Sequence, residues 1–247
     1  ENITPVTLEL GGNDAGILLD DAPLSPEFFQ KLYISCFLTS GQICMALKRL
    51  YVHRSRYDEV IEGLSAVCNR MVVGDGLLPD TNMGPVNNAK QLKTVTDMIG
   101  QARASGAEVR ECGQVLDEAL YRNGFFQKPA LVFNPDQSLD IVAEEQFGPA
   151  LPIMPFDTED EVIRRANHTR YDLCSSVWTE DHERALAISR QLEAGYTYLN
   201  NHGPTAQDFR GPFGGFKDSG FGRNLGYEGV VQFQGHHSIS SVPGWLF

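Results

Sequence analysis

Four short stretches of this chain set reactive side chains beside glycine. In Ser40-Gly41-Gln42-Ile43-Cys44-Met45, a thiol lies three residues past a glycine and just beyond a helix-like segment. A thiol so placed can open onto a crevice, with backbone N–H groups near enough to lower its pKa or hold an oxyanion. In Leu8-Glu9-Leu10-Gly11-Gly12 a carboxylate interrupts a strand-like run, where Glu is disfavoured, and the glycine pair lets another backbone come close. Glu144-Glu145-Gln146-Phe147-Gly148-Pro149 puts two acids and an aromatic at a Gly-Pro turn. A carboxylate there could accept ribose hydroxyls, and Phe147 could pack on a flat ring. Pro212 to Arg223 is glycine-rich. It fits neither the phosphate-loop pattern nor G-x-G-x-x-G, and no strand immediately precedes it, so it reads as a structural loop. Taken singly, each stretch also has an ordinary reading. A free cysteine is usually a small buried hydrophobe, and a lone Glu on a strand usually faces solvent.

These residues need a frame, and apolar periodicity predicts one. Residues 6–10 alternate as a half-buried strand, and 15–19 read as a buried strand. From Ser25 to about Phe37 the spacing turns helical, with Ser25 as cap, Pro26 in the first turn and Glu27 at the positive end of the dipole. Residues 49–53 predict a strand and 57–70 an amphipathic helix. A loop at 74–88 leads to a helix over 89–104, closed by Ser105-Gly106. Residues 107–110, 130–133 and 151–156 predict strands, and the prolines of the last place it partly at a sheet edge. Thr158 and Glu161 form a capping-box pair before a helix over 159–167. A strand at 175–178, a helix over 181–192 and a strand at 196–200 follow. Residues 230–242 predict one or two extended segments. Strands alternating with helices specify an α/β fold, an open and mostly parallel sheet flanked by helices. Sheets of this kind bind ligands at the carboxyl ends of their strands.

Composition narrows the function. The chain has 247 residues, 42% hydrophobic and 21% charged, which is ordinary for a packed domain. Its net charge of −12 repels phosphate backbones, so a nucleic-acid role is not expected. No apolar run approaches a membrane span. Glu1-Asn2-Ile3-Thr4-Pro5 has neither the basic start nor the apolar core of a signal peptide. Without an initiator Met, and starting just before a strand, the sequence reads as a piece of a longer polypeptide. The five cysteines are odd in number and form no C-x-x-C, which predicts reduced thiols in a cytoplasmic protein. The histidines lack zinc-site spacing, so no metal is expected, and no G-x-S-x-G elbow supports a serine hydrolase.

Together and in this order, Leu8-Glu9-Leu10-Gly11-Gly12, Gly41-Gln42-Ile43-Cys44, Glu145-Gln146-Phe147-Gly148-Pro149 and Gly214-Gly215-Phe216-Lys217-Asp218-Ser219-Gly220-Phe221-Gly222-Arg223 resemble the NAD(P)-dependent aldehyde dehydrogenase superfamily. The resemblance implies that Cys44 is the nucleophile and Glu9 the general base. It makes Glu145 the carboxylate that binds the nicotinamide-side ribose, with Phe147 beside it. Phe213 and the loop 201–210 would line the aldehyde tunnel, and 217–223 would be mainly structural. The implied chemistry is attack of the Cys44 thiolate on an aldehyde, hydride loss to NAD or NADP, and hydrolysis of the resulting thioester by a water that Glu9 deprotonates.

The resemblance also implies an organisation. Residues 1–12 would end a cofactor domain that is otherwise absent, 13–226 would form the catalytic domain, and 227–247 a C-terminal tail with oligomerisation strands. The expected partners are a small-molecule aldehyde and further copies of the chain. The fragment by itself is expected not to turn over aldehyde with NAD. Two alternatives compete with this reading. One is a CoA-acylating aldehyde dehydrogenase, against which a base-like Glu9 argues. The other is a non-catalytic protein that kept the fold, against which the presence of both Cys44 and Glu9 argues.

Overall fold

The computed structural model describes residues 3–241. A two-residue strand, β1 (Leu8–Glu9), precedes β2 (Asp14–Leu18), helix α1 (Pro26–Phe37), β3 (Leu47–His53) and α2 (Tyr57–Asn69). Next come β4 (Val72–Val73), α3 (Ala89–Ala104), β5 (Glu108–Glu111), β6 (Gln114–Val115), α4 (Glu118–Asn123), β7 (Ala130–Phe133), α5 (Asp140–Ala143) and β8 (Ala150–Phe156). The remainder is α6 (Glu159–Asn167), β9 (Tyr171–Asp172), β10 (Cys174–Trp178), α7 (His182–Ser189), β11 (Tyr196–Leu199), β12 (Phe216–Lys217), β13 (Gly220–Phe221) and α8 (Gly226–Val231).

Seven strands form the main sheet in the order β11-β10-β2-β3-β8-β7-β5. Every neighbouring pair is parallel except β5 on β7. Strand residues alternate between two apolar layers. Leu50 and Val52 of β3 pack with Phe28, Leu32 and Leu64 of α1 and α2. Tyr51 of the same strand packs on the opposite face with Val95, Ile141 and Val162 of α3, α5 and α6. Burying both faces is why these strands read as apolar runs. Helices α1, α2, α3, α6 and α7 start where the sequence predicts, whereas α4, α5 and α8 were not expected. Ser25, Asn88 and Asp181 each accept a backbone N–H from the first turn of α1, α3 and α7.

Four expectations are corrected. β8, with its two prolines, lies inside the sheet between β3 and β7, and register explains how. The Ile153 carbonyl points toward β7, accepting from Asn134 N–H. By strand alternation Pro155 faces the same way, but it lies beyond the last β7 pair, Phe133↔Ile153. Pro152 faces β3 and lies before the first β3 pair, Leu50↔Ile153. Neither proline therefore removes a ladder hydrogen bond. The strand predicted at residues 6–10 shrinks to β1, which leaves the main sheet and pairs antiparallel with β13. Helix α7 stops at Ser189, and tighter turns through Gln191 and Leu192 replace its predicted last turn. In the tail, Val230 and Val231 end helix α8, and no strand follows up to residue 241. Val242, the last residue of the predicted extended segment, lies outside the described residues.

Candidate active site

A fifth correction concerns where the site sits. The reactive motifs lie in the loops that enter strands. Gly11-Gly12 leads into β2, Cys44 into β3, and Glu145 to Pro149 into β8. Because β2, β3 and β8 run parallel, their amino ends lie together. The motifs therefore meet at the amino ends of the strands and not at the carboxyl ends.

Cys44 occupies a turn closed by Ala46 N–H on the Ile43 carbonyl. It is half-buried, whereas Cys36, Cys68, Cys112 and Cys174 are buried. The backbone enters this turn under constraint. Thr39, Ser40 and Gly41 all take positive φ, 54°, 57° and 71°. A β-branched Thr in the left-handed region is costly, of order 1–3 kcal/mol, and must be held by its surroundings. The holding contacts are visible. The Ser40 hydroxyl donates to the Gly84 carbonyl at 2.9 Å, and Gln42 Oε1 accepts Asn87 N–H at 2.7 Å. A Cβ on Gly41 would overlap the Gly148 carbonyl, so glycine there lets the thiol loop touch the Glu145–Pro149 loop.

Glu9 reaches the same turn from β1. Its Oε1 is buried with no hydrogen-bond partner, and its carboxylate is near enough to the Cys44 thiol to act on it. Burial first, and then Glu9 as a neighbouring negative charge and hydrogen-bond acceptor, push the Cys44 thiol up to about 12. The Met45 N–H works in the opposite direction. Gly12 packs beneath; a Cβ there would lie 2.8 Å from the Cys44 carbonyl.

Glu145 is fixed by the same glycine pair. Gly12 N–H donates to its Oε1 at 3.1 Å, and a Cβ on Gly11 would overlap its carboxyl group. Oε2 is left to accept other donors. Gln91 ties down the adjoining backbone by donating to the Gln146 and Phe147 carbonyls at 2.8 and 3.0 Å. The Phe147 ring borders an open cleft of about 470 Å³, shared with Thr39, Gln42, Pro85, Val86 and Asn87. A larger cavity of about 630 Å³ includes Arg49, His168 and Lys217 but neither Cys44 nor Glu9.

An apolar wall covers the other side of the thiol. Leu173, Cys174, Tyr198 and Phe213 pack with Cys44, Met45, Tyr196 and Ala206. This brings Phe213 and part of the 201–210 loop to Cys44. Asp208 and Arg210, by contrast, form an exposed pair at 2.8 Å. The 212–223 loop is a brace. Phe213 exchanges backbone hydrogen bonds with Asn224 at 2.7 and 2.6 Å, and Lys217 pairs with Asp172 at 2.7 Å and Glu193 at 2.6 Å.

Two buried groups here escaped the sequence reading. Asp14 and His202 are fully buried and face each other, Oδ2 to Nε2, at 3.3 Å. Asp14 Oδ1 also accepts the Cys174 N–H at 3.0 Å. Lys48 is only 1% exposed, and its ammonium donates to the Gly41 carbonyl. The signal for both was polarity inside apolar strand runs, at Asp14 in the first position of β2 and Lys48 within β3.

Comparison with known proteins fits this arrangement. The sequence model described as "Aldehyde dehydrogenase family" matches residues 1–239. Human 4-trimethylaminobutyraldehyde dehydrogenase is 37% identical over 92% of this chain and 46% of its own length. Geranial dehydrogenase of Castellaniella defragrans is 35% identical over 96% of this chain and 48% of its own. Among solved structures, an aldehyde dehydrogenase of Mycobacterium tuberculosis complexed with NAD+ superposes with a TM-score of 0.84 at 37% identity, over 92% of this chain and 46% of that one. The chain thus spans about half the length of the curated relatives it matches.

Proposed function

The chain belongs to the aldehyde dehydrogenase family, and from that premise we propose that it oxidises an aldehyde to a carboxylic acid through a thioester on Cys44, with NAD or NADP as hydride acceptor. One observation carries the reading. Among the described residues, the only half-buried cysteine neighbours a carboxylate whose buried oxygen has no hydrogen-bond partner.

In this reading Cys44 Sγ gives its proton toward Glu9 and attacks the aldehyde carbon, forming a thiohemiacetal. The Met45 N–H already favours negative charge on this sulfur. A dinucleotide bound beside Glu145 would supply the hydride acceptor that oxidation to the thioester requires. Glu145 fits its ribose, because Gly12 holds one carboxylate oxygen and leaves the other free for hydroxyls. Phe147 lines the adjoining cleft. Glu9 then takes a proton from water, the water attacks the thioester, and the thiol leaves. The wall of Tyr196, Tyr198, Met45 and Phe213 accommodates the aldehyde's carbon chain.

The same reading assigns residues 1–12 to the end of a cofactor domain, 13–226 to the catalytic domain and 227–247 to a tail that joins subunits of a homo-oligomer. Its five free cysteines suit the cytoplasm. Among the described residues no helix is long and apolar enough to cross a membrane.

An activated ester tests the Cys44–Glu9 assignment without the hydride step. With p-nitrophenyl acetate, Cys44 takes the acetyl group and releases p-nitrophenolate, and water then releases acetate. The expected results are turnover by the wild type, a single burst by Glu9→Gln, and no acylation of Cys44→Ser at position 44. Acetyl groups on other residues would overturn the assignment. Release of the acetyl group by CoA in preference to water would move the reading to a CoA-acylating enzyme.

A further inference from the structure

Lys48 is the one buried ammonium at the site, and nothing in the reaction as described uses it. It lies on β3 at the register shift where Leu47 pairs with Asp14 and Arg49 with Ala15. A methionine would fill that space without the cost of burying a charge. Yet the ammonium is fully enclosed. It donates to the carbonyl of Gly41, the last residue of the left-handed run that leads to Cys44. It also stands 5.9 Å from the centre of the Phe147 ring. The Lys48 backbone is tied to the same region, since the Gln146 side chain donates to its carbonyl at 3.4 Å and to that of Ile141 at 2.5 Å.

The charged and titratable groups facing Lys48 are Glu145, Cys36, Asp14 and Cys44. Those facing Cys44 are Glu9, Asp14, Lys48 and Cys174. The neighbouring Arg49 spends its guanidinium on the carbonyls of Asn13, Arg165 and Ala166. Two carboxylates, Glu9 and Asp14, therefore face the thiol, a third, Glu145, faces Lys48, and Lys48 is the cation set among them.

We propose that Lys48 is a positioning residue for the nucleophile: it clamps the Gly41 carbonyl at the entrance to the Cys44 turn, and its charge offsets the surrounding carboxylates so that Cys44 can release its proton. This deepens the reading of Cys44 as nucleophile and rests on it. Burial lowers Lys48 to about 8, against the pull of Glu145. Below that pH the side chain is cationic and favours the thiolate. Above it the charge, and its help, are lost.

The test is alkylation of the intact chain with limiting iodoacetamide, with each cysteine mapped by mass spectrometry, for wild type and Lys48→Met. Cys44 of the wild type is expected to react about tenfold faster than in Lys48→Met near pH 6.5, one unit of thiol pKa being tenfold in thiolate. The two rates should converge near pH 9.5. Equal rates at the lower pH, or a slowing that is the same at both, would overturn the proposal. Should Lys48→Met fail to fold by circular dichroism, the wild-type profile alone decides. The logarithm of its rate should climb less steeply as pH passes about 8, and a straight line would overturn the charge role. Wild-type Cys44 reacting no faster than Cys36, Cys68, Cys112 and Cys174 would overturn the nucleophile assignment itself, a different failure from the Lys48 one.

Discussion

The Glu9 carboxylate, carried on β1, stands against the Cys44 thiol at the entrance to β3, and it raises that thiol instead of activating it. Burial is the larger cause and Glu9 the next. On the proposed reading, the nucleophile is therefore held protonated with its base beside it. Pairing of this kind suits a site that must not react with water or oxidants before an aldehyde arrives.

The two glycine contacts separate positioning from stability. A Cβ on Gly11 would overlap only the end of the flexible Glu145 side chain. Gly11→Ala should thus keep a near-wild-type melting temperature while pushing the carboxylate out of place and weakening dinucleotide binding. A Cβ on Gly195 would strike the backbone carbonyl of Gly214, so Gly195→Ala should lose about 1–3 kcal/mol. Thermal unfolding followed by circular dichroism, with dinucleotide titration by fluorescence, checks both.

Asp14 gives a pH-dependent prediction. Burial raises its carboxyl above the usual range, against the pull of His202, the Cys174 N–H and Arg49. A group raised on folding holds its proton longer in the native state, so its contribution falls as pH climbs from the unfolded value through the folded one. Asp14→Asn removes that loss and keeps an oxygen for the Cys174 N–H. Its stability relative to wild type should rise between acid and neutral pH, read from urea melts at several pH values. A difference independent of pH would show that the pair is held some other way.

The tail carries exposed apolar side chains at Tyr227, Val230, Phe233 and Ile239. If it joins subunits, removing residues 227–247 should lower the mass measured by light scattering. An unchanged mass would place the subunit contact elsewhere.

Local signals carried much of this architecture. Capping by Ser25 and Thr158, the amphipathic pattern of α2 and the four motifs all lie where the sequence places them. What periodicity missed was set by partners distant in the chain. Pro152 and Pro155 are tolerated inside the sheet only because β7 and β3 pair with β8 over offset stretches. Val230 and Val231 favour strands intrinsically, yet they finish a helical turn in which Gly229 N–H bonds to the Leu225 carbonyl. The position of the site at the strands' amino ends was legible in principle, since each motif precedes its strand. A general rule about carboxyl ends obscured it. Lys48 and Asp14 went unread because the groups they meet, Gly41 and His202, are brought near only by the fold.

The most direct measurement is competitive alkylation of all five cysteines in wild type and Glu9→Gln at one fixed pH near neutrality. Removing the negative neighbour lowers the Cys44 thiol pKa. The account therefore predicts that Cys44 is labelled first in both proteins, and several-fold faster in Glu9→Gln. If Cys44 reacts no faster than the buried cysteines, or if Glu9→Gln leaves its rate unchanged or slower, the pairing of Glu9 with Cys44 is not the one that governs this site.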